Sequence, residues 1–148
     1  RFMFNVSLDY PSFKEELQIV KNTTSSSKVQ VNKVLNAEQI IYFQQLVRNI
    51  PVADNVLEYA VKLVSKTRPN ADTAPAEIKR LLNWGAGPRA SQFLVLGAKC
   101  HAVISGKYSP DIEDVRAIAK PVLRHRIIRS YHAEAEGLSA DDIIQKLL

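Results

Sequence analysis

Cysteine, glycine and long apolar runs are all scarce in this sequence. A single cysteine, Cys100, in 148 residues excludes an internal disulfide and any cysteine-based zinc site. No apolar stretch approaches the roughly 20 residues a membrane-crossing helix needs, and no signal-peptide pattern opens the chain. The five glycines form no G-x-x-x-x-G-K-S/T, G-x-G-x-x-G or G-x-S-x-G motif, so nothing here cradles a phosphate in a glycine loop or presents a serine nucleophile. His101, His125 and His132 lack helix-spaced ligand partners. His125 and His132 are seven apart and could share a face, but further ligands would be needed, and no metal site is expected. A cytoplasmic, soluble protein with no membrane contact is the expectation.

What is present is the composition of one globular domain: 46% hydrophobic and 24% charged residues, enough to bury a core and far from disorder. Lys and Arg number 20 against 15 Asp and Glu, a net charge of +5. That sign favours anionic partners, yet both signs are interspersed, so the plainer reading is a solvated surface.

The pattern is almost entirely helical and predicts a compact bundle with no internal repeat. Phe2–Leu8 alternates only in part, as a short strand or an extended lead-in would. Ser12 with Glu15 makes a reciprocal cap for a helix running to about Lys21. Thr23 to Ser27 is polar and reads as a mobile loop. Asn36 with Gln39 opens a second helix carrying Ile40, Phe43 and Val47 on one face, and Pro51 ends it. Asp54 is expected to cap a third, with Leu57, Ala60, Val61 and Val64 as its stripe. Pro69 to Pro75 reads as loop, and Ala76 to Asn83 as a further turn or two of helix. A long helix from Pro88 to Gly106 is expected to turn Phe93, Leu96, Cys100 and Val103 inward. Asp111 opens the next, with Val115, Ile118, Ala119 and Val122 on its inner face, and Ser139 with Asp142 starts a short last helix. Leu81, Leu82 and Trp84 read as core anchors.

The stretch richest in chemistry is Trp84-Gly85-Ala86-Gly87-Pro88-Arg89-Ala90-Ser91. Two glycines permit a tight turn, and Pro88 suits the first helical position because it has no N–H to lose. Arg89 would then stand at the positive end of a helix, where unsatisfied N–H groups already favour an anion. A guanidinium there can grip a phosphate with two parallel donors or simply pair with a nearby carboxylate. Arg124, Arg126 and Arg129 with His125 form a second basic cluster, read as a solvated face and a set of charges complementing a helix C-terminus. A contact with a subunit or a neighbouring domain is the sharper alternative.

Residues 85–90 resemble the GASPRA segment in the lid domain of the MoxR family of AAA+ ATPases. The likeness extends to both sides: Asp9-Tyr10-Pro11-Ser12 with Glu15-Glu16 is similar to that family's YP-x-x-x-E-E, and Leu63-Val64 through Thr67-Arg68 to its LV-x-x-TR. Gly106-Lys107-Tyr108 with Glu113-Asp114-Val115, then Val122-Leu123-Arg124-His125-Arg126, resemble its GRDYV-x-x-EDV and VL-x-HR, and Glu134–Leu138 fits its tail. Departures are small: Gly87 stands where serine is usual, Lys107 where arginine is, and Ser109-Pro110-Asp111 rearranges the usual V-T-P order.

The resemblance implies an all-α lid bundle over residues 11–148, preceded by a lead-in, residues 1–10, from the tail of the AAA+ core. It implies that the chain is a lid fragment of a larger ATPase whose P-loop core, Mg2+ site and bound ATP lie outside it, and that the fragment alone is inactive. Arg89, with Pro88 and Gly87, would be the sensor 2 nucleotide contact. Arg1, before Phe2, is similar to the end of an LDRF segment whose arginine serves as a finger toward the neighbouring subunit. Partners would be the core, ring neighbours and a client protein that is remodelled or receives a metal cofactor. The competing reading is a non-enzymatic basic helical module for nucleic acid or an acidic protein. No helix clusters Arg, Lys, Asn and Gln on one face, which disfavours nucleic acid.

Overall fold

The computed structural model describes residues 2–25 and 30–148. Among these the chain forms eight helices and one two-stranded sheet, in keeping with the expected helical bundle. Helix α1 (Phe13–Thr24) starts at the Ser12–Glu15 capping box: the Ser12 N–H donates to Glu15 Oε2 at 2.8 Å, and the Glu15 N–H returns to Ser12 Oγ. It runs three residues past Lys21. The Thr23 and Thr24 hydroxyls donate back to the carbonyls of Ile19 and Val20, at 2.8 and 2.7 Å, which lets polar residues stay helical. The loop expected from Thr23 therefore begins at Ser25, and Ser26 and Ser27 lie outside the described residues. Helix α2 (Ala37–Asn49) opens on the Asn36–Gln39 box and stops before Pro51 as predicted. Neither α1 nor α2 buries a residue: Ile40 and Phe43 are exposed.

Helix α3 (Asp54–Lys66) begins on Asp54 itself, with Ala53 as the N-cap and no side-chain cap. The acidic side chain thus complements the helix dipole without capping it. Its buried stripe is Val56, Ala60, Leu63 and Val64, whereas Leu57 and Val61 face out. The face is rotated by about one residue from the expected one, because Val56 and Leu63 extend the i, i+4, i+7, i+8 row. Helix α4 (Ala76–Leu81) leads into strand β1 (Leu82–Trp84), which pairs antiparallel with β2 (Ile128–Arg129), Leu82 opposite Arg129. Strands of three and two residues carry too little alternation to be read in advance. Phe2–Leu8 forms no strand and is an irregular lead-in with a bend at Met3.

Helix α5 (Pro88–Ile104) and helix α6 (Ile112–Leu123) make the principal helix pair, with α3 packed on both. The inner face of α5 is Ala90, Leu94, Gly97, Ala98 and Ala102; Leu96 and Cys100 are half-buried and Val103 is exposed. The small residues carry the contact because they let the axes approach closely: a Cβ on Gly97 would lie 3.2 Å from Ile118 Cδ1. Helix α6 buries Val115, Ile118, Ala119 and Val122 as expected. Helices α7 (Tyr131–Ala135) and α8 (Ala140–Gln145) close the bundle, α8 through Ile143 and Ile144 and its Ser139–Asp142 box.

Between α5 and α6 lies a charge network. Asp114, fully buried, accepts from His101 Nδ1 at 2.7 Å and from Lys107 Nζ at 3.2 Å, and completes a capping box with Asp111. No described helix is long and apolar enough to cross a membrane.

The Lys107 ammonium, followed by the Asp114 N–H, lowers the Asp111 carboxyl from its ordinary 3.8 to about 2. A carboxyl depressed in the folded state stabilises above its unfolded value and loses that contribution as pH falls. Asp111→Asn keeps a capping side chain but no charge. It should be less stable than wild type at neutral pH, with the difference shrinking as pH drops from 3.8 toward 2. Urea midpoints across that range check it; a difference independent of pH would assign the effect to packing.

Candidate functional site

The glycine-proline turn before α5 is fixed by the end of α3. Thr67, fully buried, donates its hydroxyl hydrogen to the Val64 carbonyl at 2.6 Å and accepts the Ala86 N–H at 2.9 Å. Arg68 Nε donates to the Ala86 carbonyl at 2.9 Å. The approach is so close that a Cβ on Gly85 would fall 2.3 Å from the Thr67 carbonyl oxygen and 2.6 Å from Arg68 Cα, so only glycine fits without moving backbone. Thr67 and Arg68 thus hold both polar groups of Ala86, a role that the TR pair alone does not announce.

From that anchored turn α5 starts as predicted. Gly87 is the N-cap, with extended backbone and no side-chain cap, and Pro88 sits in the first turn. Arg89 follows, exposed, with no hydrogen bond or ion pair to any described residue. It is not paired with a carboxylate, the plainer of the two roles open to it. Beside it runs a shallow cleft of ≈ 290 Å³ lined by Arg68, Pro69, Asn83, Trp84, Gly85 and Pro88. Trp84 is 68% exposed on the cleft wall, a correction to its reading as a core anchor; Leu81 and Leu82 are the buried pair. An irregularity in the β1 register between Leu82 and Trp84 breaks the two-residue alternation, so Leu82 turns in while both Asn83 and Trp84 stay outside.

The second basic cluster is largely engaged within the chain. Arg124 makes a two-donor pair with Asp141, at 3.0 and 2.7 Å. Arg129 donates to the Leu138 carbonyl at 2.8 Å. Arg126 donates from Nε to the Val122 carbonyl at 2.8 Å, and its guanidinium lies 5.0 Å over the Phe93 ring, a cation–π contact. Phe93 is four residues along α5 from Arg89, so Arg126 sits over the same turn. Burial, and then the like charge of Arg89, lower the pKa of Arg126. Arg124 and Arg126 are thus half-buried rather than solvated, while Arg126, on the Val122 carbonyl, does complement the α6 C-terminus. Arg1 lies outside the described residues.

Comparison with known proteins agrees with the geometry. Residues 75–147 match the AAA lid domain. The whole chain aligns at 28% identity with Chaperone MoxR1 of Mycobacterium tuberculosis, covering 39% of that protein. Sixty-five residues, 43% of the chain and 19% of the relative, align at 38% identity with Protein MoxR of Paracoccus denitrificans. A crystal structure of a candidate ATPase from Cytophaga hutchinsonii superposes with a TM-score of 0.86 at 28% identity, over 99% of this chain and 45% of that one. The chain spans about two fifths of the length of the full-length relatives it matches.

The Thr67–Gly85 anchor makes a stability prediction. Thr67→Val leaves the buried Ala86 N–H without an acceptor and should cost about 1–3 kcal/mol, with Thr67→Ser recovering most of it. Gly85→Ala should cost more than Thr67→Val, since the blocking atoms are backbone. Chemical denaturation of the three variants checks the order; an innocuous Gly85→Ala would show that the turn is not pinned.

Proposed function

Starting from a chain that carries the AAA lid domain of the MoxR family of AAA+ proteins, we propose that it is the lid of an ATPase and reads the state of a bound nucleotide through Arg89. ATP with Mg2+ supplies, when bound, a triphosphate whose terminal charge is lost on hydrolysis. The residues of this chain fit the phosphate end: an exposed guanidinium with no carboxylate partner, at the amino end of a 17-residue helix whose N-cap is a bare glycine. The magnesium ligands and the P-loop are assigned to the rest of the parent protein. A relative named as a chaperone supports a role in remodelling client proteins. Insertion of a metal cofactor into a client, assembly into a ring and a cytoplasmic setting belong to the same proposal.

The single observation carrying this reading is that Arg89 is presented and unpaired. The turn that holds it is fixed by Thr67 and Gly85, and α5 is locked into the core through Ala90, Leu94 and Ala98. A pull on Arg89 is therefore a pull on the whole bundle, which would answer as a rigid body. Charge gained or lost at one side chain is in this way converted into domain rotation.

In the full-length parent, Arg89→Ala should weaken nucleotide binding or turnover by about 10- to 100-fold, the worth of one charge-assisted contact. Nucleotide titration with steady-state turnover measures both. Wild-type values for the two would discard the sensor reading. The 148-residue chain alone should hydrolyse no ATP, and clear turnover by it would contradict the assignment of the catalytic core to the rest of the parent.

A further inference from the structure

The cleft beside Arg89 has two rigid walls. One is strand β1, where Trp84 lies opposite Ile128 and is followed directly by Gly85, pinned against Thr67 and Arg68. The other is the turn after α3, closed by the Ala71 N–H on the Arg68 carbonyl at 3.0 Å, which carries Pro69 and Asn70 into the cleft lining. Trp84 is mostly exposed, and no ring among the described residues stacks on it. An indole left in water on a wall that cannot fold over it is costly unless something covers it. The polar side chains around it are amides. Asn70 makes no side-chain hydrogen bond to any described residue, and Asn83 uses only its Nδ2, on the Arg129 carbonyl at 3.4 Å. An amide donates and accepts in one plane, as the edge of a nucleobase does. No carboxylate among the described residues lines the cleft, and Arg68 is held by its Nε on the Ala86 carbonyl. Such a lining suits a flat, uncharged, hydrogen-bonding ring better than an amine or an apolar chain. Its volume, ≈ 290 Å³, lies at the small end of the roughly 300–1,000 Å³ that hold drug-sized ligands, which leaves room for a single base.

We propose that this cleft takes the base of the nucleotide whose phosphates Arg89 reads, with Trp84 as the stacking platform and Asn70 and Asn83 as contacts to the base edge. This rests on the sensor reading above and deepens it. Trp84 and Arg89 are five residues apart, at most about 17 Å of chain even when extended, so one ligand can touch both. Base and phosphate are then held from the two ends of the same pinned turn. The two contacts do different work. Stacking is unchanged by hydrolysis and sets affinity alone, whereas the hold of Arg89 follows the charge of the phosphates.

Two measurements test this. The first needs no ATPase activity. Trp84 is the single tryptophan of the chain, so its indole N–H gives one NMR resonance that reports on the cleft. Titrating the 148-residue chain with AMP in the millimolar range should move that resonance saturably, as a stacked base does. Ribose 5-phosphate, which keeps the sugar and phosphate but has no base, should leave it in place. No response to AMP, or an equal response to ribose 5-phosphate, overturns the proposal. The second is steady-state turnover of the full-length parent. Trp84→Ala should raise KM for ATP by about 5- to 100-fold, the worth of one base on an aromatic ring, with kcat nearly unchanged. Trp84→Phe, which keeps a stacking face, should recover most of the loss. A wild-type KM in Trp84→Ala, or a loss that falls on kcat, overturns the base contact. Because the side chain is exposed, the urea midpoint of Trp84→Ala should match wild type, which separates lost stacking from lost fold. The two readings fail separately. Wild-type nucleotide binding and turnover in Arg89→Ala remove the sensor and leave the AMP response standing, while an unresponsive Trp84 beside an impaired Arg89→Ala removes the base subsite alone.

Discussion

A buried hydroxyl facing a missing side chain governs the end of the molecule that matters most. Thr67 ties the last turn of α3 to the backbone of Ala86, and the absence of a Cβ at Gly85 lets the two chains touch. Helix α5 leaves from that junction. Because a helix is stiff and rises about 1.5 Å per residue, the orientation of its first turn fixes where Arg89 points and where Leu94 and Ala98 enter the core. Hydroxyl, glycine and arginine therefore form one device. Loosening the first two would leave Arg89 chemically intact and mechanically uncoupled.

The same logic holds at the opposite helix end. Helix α6 contains Pro121 and finishes at Leu123, leaving carbonyls that need donors. The chain answers with a peptide N–H from the lead-in and with Arg126. Arg126 is more than a cap: its fork spans two carbonyls and its face covers Phe93. A lysine could supply the charge but not that planar, multi-donor geometry. The lead-in, α6 and α5 thus meet at one guanidinium.

Much of this was legible in advance, and the failures have physical causes. The capping boxes at Ser12, Asn36, Asp111 and Ser139 all form, because such caps depend on neighbours three residues apart. The Gly87-Pro88-Arg89 helix start forms for the same local reason. Inner faces were harder. On α5, Phe93, Leu96, Cys100 and Val103 were expected inside, yet the close α5–α6 approach selects the row of Ala90, Leu94, Gly97, Ala98 and Ala102, a choice set by the partner helix and invisible to apolar periodicity. Trp84 misleads likewise, since a two-residue strand partner decides which way it faces. The intramolecular employment of Arg124 and Arg126 needed contacts more than a hundred residues apart.

Charge placement sets Arg89 apart from Arg124 and Arg126. Arg126 and Arg124 sit at the carbonyl end of α6, where partial negative charge and Asp141 offset them. Arg89 sits at the amino end of α5, where the helix dipole is positive and no carboxylate answers it. Arg126, stacked over the same turn, adds repulsion, one cause of its own lowered pKa. Two like charges beside a positive helix end are an arrangement that folding alone does not reward. An anion at that spot would relieve all three terms together, and a dianionic or trianionic phosphate would relieve them more than a carboxylate. The core that holds the turn runs from Ala86 and Ala90 on either side of Arg89 into α3, α4, α6, α7 and α8, so it is built of apolar contacts that need no anion. In the function proposed above, that local imbalance is what a nucleotide phosphate answers, and the apolar core lets it be answered or left open without unfolding the bundle.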